Sequence, residues 1–261
     1  MVFFEPVKLW PEAPFHTPIL DRYKNREMLY DVLYCIAVGG LSTRADIARA
    51  LQMDLSSIEA KTASLRKVAR ACKTLVNENL ITQDLGKLWW ITIYMLRLTP
   101  FGEEYWQNTY RLKKVNSDWD KLIKLHNGKR YMEHSAAVLL FVHHARLRGW
   151  NAEVMPEPEE NMQPDVEIEN DKDILYVEIE RKASRAWEKK DRWKKQRLLQ
   201  STLTICMVSD VGAKNVAQRI DGAPEYECYK IASLQHLTTT AYQPNRERNM
   251  WLYQRGFEVF D

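Results

Sequence analysis

The stretch from Pro164 to Lys182 constrains this chain most. It reads Pro164-Asp165-Val166-Glu167-Ile168, then a polar segment Glu169-Asn170-Asp171-Lys172-Asp173, then Ile174-Leu175-Tyr176-Val177-Glu178-Ile179-Glu180-Arg181-Lys182. Two short alternating runs around a polar turn predict a β-hairpin. Side chains alternate along a strand, so Leu175, Val177 and Ile179 take one face and Glu178, Glu180 and Lys182 the other. Asp165 stands at the mouth of the partner strand. Strong apolar residues flank the second run and a long basic stretch follows it, so it reads as a central strand. Charges on a central strand are costly unless they bind a metal or each other.

The chain has 261 residues, room for one large or two small domains, and 45% of them are apolar, enough for real cores. The formal net charge is only +3, so affinity for nucleic acid must come from local clusters. Cys35, Cys72, Cys206 and Cys228 are widely spaced, mostly in apolar settings, and read as buried free thiols rather than a zinc site. No apolar run reaches the ~18 residues of a membrane span, and the N-terminus lacks a signal-peptide pattern. These features fit a reducing, cytoplasmic setting with no membrane partner.

Residues 1–25 are an arm rich in aromatics and proline (Pro6, Pro11, Pro14, Pro18), which blocks regular structure. From 26 to 113 the pattern is helical, then strand-like, then helical. Met28, Leu29, Val32, Leu33, Ile36 and Ala37 share one helix face, which Gly39-Gly40 ends. Ser42-Thr43 caps a second helix, with Ala45, Ile47, Ala48 and Leu51 inside. Asp54 and Ser56 cap the segment Ser56 to Asn79, read as one long helix or two. Leu80 to Thr82 is a short strand, Asp84-Leu85-Gly86-Lys87 a turn, and Leu88 to Leu98 a strand by composition. Thr99-Pro100-Phe101-Gly102 opens a closing helix. Three helices, a two-stranded wing and a closing helix make a winged helix-turn-helix. Its third helix carries Lys61, Arg66, Lys67, Arg70 and Lys73 against Asp54 and Glu59. These are the candidate contacts to duplex DNA, a helix in the major groove with the wing on phosphate. A charged outer helix face is also what any solvated helix shows, and winged helices also bind proteins.

Residues 114–128 lose periodicity and read as a linker, either irregular or holding a short helix. The second domain, 129–261, opens with a helix at about Tyr131–Leu147 with Glu133 and His134 in its first turn. Trp150 to Val154 is a strand, and Pro156 to Gln163 an acidic loop before Pro164-Asp165. After Lys182 a helix holds Arg185, Lys189, Lys190, Arg192, Lys194, Lys195 and Arg197 against Glu188 and Asp191, with Trp187 and Trp193 interleaved. Such a basic face beside carboxylates is a natural seat for a phosphate backbone. A strand Leu203–Val208, a helix after Ser209-Asp210-Val211-Gly212, a strand Tyr226–Ile231 and a tail complete the chain.

Pro-Asp, a spacer, and an apolar strand with Glu-x-Lys resemble the PD-(D/E)XK nuclease superfamily. So does the α-β-β-α-β order of helix, hairpin, basic helix and strand. Leu-Thr-Pro-x-Gly after the wing, and Ser42 to Leu51 before the third helix, resemble bacterial winged-helix regulators. The whole layout resembles the replication-relaxation family of plasmid and mobile-element proteins, through His134, Trp150, Pro164-Asp165 and Val177-Glu178-Ile179-Glu180-Arg181. The expected fold class is therefore α+β to α/β, a winged helix-turn-helix followed by a restriction-endonuclease-like mixed sheet.

The resemblance implies that Asp165 and Glu178 hold Mg²⁺ or Mn²⁺, with Glu133 as a further acid from the first helix. Glu133 also has the bland reading of an acid at a helix N-terminus. Two registers of the motif stay open. If Glu178 is the motif acid, Glu180 fills the lysine position. If Glu180 is the motif acid, Lys182 follows at the right spacing. Asp165, Glu178, Glu180 and Lys182 are thus the candidate catalytic residues of a metal-dependent DNA endonuclease. The alternatives are a non-catalytic winged-helix regulator of replication or transcription, whose second domain grips DNA or a partner, and a protein–protein adaptor. Expected partners are double-stranded DNA and mobile-element or replication proteins. Paired cuts would call for a homodimer.

Overall fold

A computed structural model describes residues 19–156, 163–183, 193, 194, 196, 200–223, 226–243 and 245–256. The chain is mixed α+β and divides into two compact units, Met1–Met132 and Glu133–Asp261. Residues 1–18 of the arm, 157–162 of the acidic loop, and Lys189, Lys190, Arg192 and Lys195 of the basic stretch lie outside the described residues.

The first unit contains α1 (Arg26–Ala37), α2 (Arg44–Ala50), α3 (Ile58–Asn77), β1 (Ile81–Leu88), β2 (Ile91–Leu98), α4 (Pro100–Tyr110) and α5 (Asp118–His126). Caps set the helix starts. The Thr43 hydroxyl accepts the Asp46 N–H, and Ser57, not Asp54 or Ser56, caps α3 by accepting the Ala60 N–H. The segment 56–79 therefore forms one helix of 20 residues. Leu29, Val32, Leu33, Ile36, Ile47, Val68, Leu75, Leu96 and Trp106 meet in one core. Thr99 caps α4 with Pro100 at its first position. Gly102 is required there, because a Cβ would lie 1.9 Å from the Leu80 carbonyl oxygen.

One expectation in this unit needs correction. The hairpin turn is not at Asp84–Lys87. β1 and β2 pair antiparallel from Ile81↔Leu98 to Leu88↔Ile91, with Gly86 opposite Ile93, so the turn is Trp89-Trp90. Residues 114–128 hold the short helix α5. Ser117 and Asp120 form a capping box at the start of α5. Trp119 is fully buried, its backbone N–H donates to Ser42 Oγ (2.8 Å), and its indole N–H donates to Asp84 Oδ2 (2.9 Å).

The second unit is built on a six-stranded mixed sheet: β3 (Asn151–Val154), β4 (Val166–Glu169), β5 (Ile174–Glu180), β6 (Leu203–Met207), β7 (Tyr229–Ser233) and β8 (Tyr253–Arg255), side by side in that order. β3, β4 and β5 form an antiparallel meander, β6 and β7 run parallel to β5, and β8 is antiparallel to β7. The expected tail thus supplies an edge strand. Helices α6 (Met132–Leu147), α7 (Asp210–Asp221) and α8 (Leu234–Thr239) complete the described elements, with a 3-10 turn at Arg246–Asn249. α6 is buried without a break from Ser135 to Ala145. Trp193 is fully buried with Leu203, Ile205, Val216, Ile220 and Ile231, and meets Tyr226 edge-on at 6.3 Å. It is a core residue, not part of a basic surface. Among the described residues no helix is long and apolar enough to cross a membrane.

Candidate functional site

Two clusters of charge differ in kind, one in each unit. In the second unit the β4–β5 register pairs Val166 with Val177 and Glu167 with Tyr176. Asp165 directly precedes this ladder on one strand and Glu178 directly follows it on the other. Alternation then places Asp165, Glu167, Glu169, Tyr176, Glu178 and Glu180 on one sheet face, and Val166, Ile168, Leu175, Val177 and Ile179 on the other. Across β6 and β7 the first face continues as Leu203, Ile205, Met207, Tyr229 and Ile231. So the acids occupy one half of a face whose other half is core. Asp165, Glu178 and Glu180 are 2%, 0% and 3% exposed. Carboxylates this deep lose water that charge needs, so their surroundings must compensate.

Asp165 is held from two sides. Its Oδ2 accepts the Ile179 backbone N–H at 2.8 Å, and its Oδ1 lies 3.3 Å from His134 Nε2 on the first turn of α6. The Met155 N–H donates to its carbonyl at 2.9 Å. Two glutamines fix the strand that carries Glu178. The β5–β6 ladder begins only at Glu178↔Ile205. Two residues before it, Gln200 accepts the Tyr176 N–H (2.8 Å) and donates to the Tyr176 carbonyl (2.9 Å). Fully buried Gln196 donates to the Tyr176 and Thr204 carbonyls. Side-chain amides here replace the missing ladder partners.

The other expected groups lie elsewhere. β5 ends at Glu180, and Lys182 sits beyond it, exposed, because the chain bends out of the sheet at Arg181. No lysine stands on β5 itself. Glu133 is exposed and its carboxylate pairs with the Arg181 guanidinium; the residue of that turn that reaches Asp165 is His134. Lys194 is exposed.

The charges of the first unit are on its surface. Arg66, Lys67, Arg70 and Lys73 project from α3 into solvent, and Lys61 is half-buried. α3 carries Lys61, Arg66, Lys67, Arg70 and Lys73 against one acid, Glu59. Among the described residues no carboxylate is ion-paired with Arg66, Lys67, Arg70 or Lys73. α3 and the β1–β2 hairpin wall a groove of about 800 Å³ lined by Arg44, Arg66, Arg70 and Lys73 together with Gln83 and Tyr94. Among the described residues no acid lines it. Arg44, at the start of α2, is fixed there. Its guanidinium lies 3.7 Å from the Tyr94 ring centroid and donates to Gln83 Oε1. Beneath it, burial pushes the Cys72 thiol up to about 11, opposed by the Arg44 charge, and burial carries the Cys35 thiol up to about 12. Both are inert, un-ionised thiols at neutral pH.

Arg44, Gln83, Tyr94, His134, Gln196 and Gln200 were absent from the sequence-derived site. Arg44 and Tyr94 are far apart in the chain, so only tertiary packing reveals their stack. The chain matches no known family, no curated protein and no solved structure.

Proposed function

We propose that this protein binds DNA through the groove of its first unit and carries a metal-dependent phosphodiester-cleaving site on β4 and β5 of its second. The observation that carries the reading is the groove, which gathers Arg44, Arg66, Arg70 and Lys73 with no acid among the described residues of its lining. Polyanions are the ligands such a surface favours, through release of condensed counterions. The element order of the first unit supports a winged helix-turn-helix. The antiparallel meander β3-β4-β5 followed by parallel β6 supports a PD-(D/E)XK-like core, and with it a role in a mobile element's replication or maintenance. The free cysteines fit a reducing cytoplasm.

Asp165 and Glu178, with Glu180 beside them, offer hard oxygen donors on one sheet face, which suit Mg²⁺ or Mn²⁺. A divalent cation there would acidify a bound water and offset charge on the scissile phosphate. The Ile179 N–H aims Asp165, and His134 braces it. A second reading is favoured by the place of Lys182, exposed and past the end of β5: the site is degenerate and the protein only holds DNA.

Incubation of supercoiled plasmid with Mg²⁺, Mn²⁺ or EDTA separates the two. Cleavage that needs metal and disappears in Glu178→Gln supports the enzyme. Shifted but uncut plasmid supports the holding protein, and neither shift nor cleavage sinks both.

A further inference from the structure

The wing ends in an uncommon turn. Leu88↔Ile91 is the last pair of the ladder, so Trp89 and Trp90 alone make the loop. Trp89 is 71% exposed, the most exposed large apolar side chain among the described residues. It is nevertheless held. Its ring meets that of half-buried Trp90 edge-on at 4.7 Å, on a hairpin paired through all eight residues of each strand. Turn loops of this length favour glycine, asparagine and aspartate. A large indole there is useless to the turn and costly in water.

The same hairpin leads to the basic groove. Gln83 and Tyr94 line the groove. The pairs Gln83↔Leu96, Leu85↔Tyr94 and Lys87↔Thr92 share one wing face, which runs from core at Leu96, through the groove, to exposed Leu85 and Lys87. From Gln83 to Trp89 the strand rises roughly 20 Å. That is far enough for a strand whose phosphates occupy the groove to present its bases at the tip. A flat π-surface on the same hairpin as a basic groove is the pairing that base stacking uses.

We propose that Trp89 is a base-stacking element, inserted at a base step of the DNA whose backbone the groove holds. This rests on the DNA-binding reading above. It adds that recognition includes local unstacking at the wing tip, so distorted or easily unstacked steps are preferred substrates.

The test uses the full chain and a fluorescein-labelled 30-base-pair duplex of mixed sequence, with affinity measured by anisotropy across a salt series. Trp89→Ala is expected to weaken binding about tenfold, the loss of one stacked base. Its log K against log salt slope should match the wild type, since no phosphate contact is lost. Trp89→Phe should recover most of the affinity. The triple variant Arg66→Ala, Arg70→Ala, Lys73→Ala should instead flatten the slope. If Trp89→Ala binds as tightly as wild type while the triple variant flattens the slope, stacking is overturned and the groove reading stands. If the wild type does not bind the duplex, or the triple variant keeps the full slope, the groove reading fails and stacking fails with it. Trp89 is exposed, so a matching urea midpoint for wild type and Trp89→Ala shows that the fold is intact.

Discussion

Arg148 in the second unit and Arg70 in the first are the same side chain put to opposite uses. Arg148 is 5% exposed. Its guanidinium donates to the carbonyls of His144, Leu237 and Arg246 and to Thr240 Oγ1, at 3.0–3.1 Å. It ties the end of α6 to α8 and to the turn that follows. Arg70 is exposed and, among the described residues, its side chain reaches the Arg66 carbonyl of its own helix, at 3.4 Å. Asp165, Glu178 and Glu180 are interior, whereas Glu59 of α3 is in solvent. Arg148 and these buried acids are engaged by the fold, whereas among the described residues no carboxylate is ion-paired with Arg66, Lys67, Arg70 or Lys73 of α3.

The contrast can be broken at Arg148 first. Arg148→Met orphans several buried carbonyls and should cost about 3 kcal/mol or more, read as a urea midpoint. Arg70→Met should stay within about 0.5 kcal/mol of wild type. Equal effects would erase the distinction between the units.

Asp165→Ala comes next. It strands the Ile179 N–H and removes the contact with His134, which should cost about 1–3 kcal/mol. The measurement is made in EDTA so that no metal contributes. A neutral result would mean that Asp165 is not anchored as its two contacts require.

His236 gives a smaller, pH-dependent effect in the second unit. Burial, reinforced by the Arg148 charge and opposed by Asp210, holds its imidazole below the ordinary 6.5. The unfolded chain therefore takes up the proton first. Stability from this group is complete above about pH 6.5 and drains as the pH falls below it. His236→Gln should flatten that part of the stability profile, and an unchanged profile would show that this half-buried imidazole does not set it.

The smallest effect on the fold belongs to the groove. Neutralising Arg66, Arg70 and Lys73 together should leave the urea midpoint nearly unmoved, because exposed charges contribute little to stability.

Local patterning made part of this legible. Alternation along 174–180 put the acids on the face opposite Leu175, Val177 and Ile179, and the 3.6-residue spacing marked α1 and α2. What it missed was set by packing. Counting the alternation on to Lys182 ran past the point where the strand leaves the sheet. Asp84 to Lys87 has turn composition, yet Gly86 pairs within the ladder, and two tryptophans make the turn instead. Residues 114–128 look polar, but one indole, Trp119, with two hydrogen bonds pins them to the first unit. The Arg44–Tyr94 stack, the reach of His134 to Asp165 and the edge strand β8 all join residues distant in sequence, which no local rule joins.

The most direct measurement is the salt dependence of duplex affinity for wild type beside the Arg66→Ala, Arg70→Ala, Lys73→Ala variant. Each phosphate neutralised contributes about 0.9 to the slope of log K against log salt. The account predicts a steep wild-type slope that falls by about 2–3 in the variant, with the fold's stability unchanged. A slope that is shallow in the wild type, or the same in both proteins, would contradict it and leave the basic face of α3 as ordinary solvated surface.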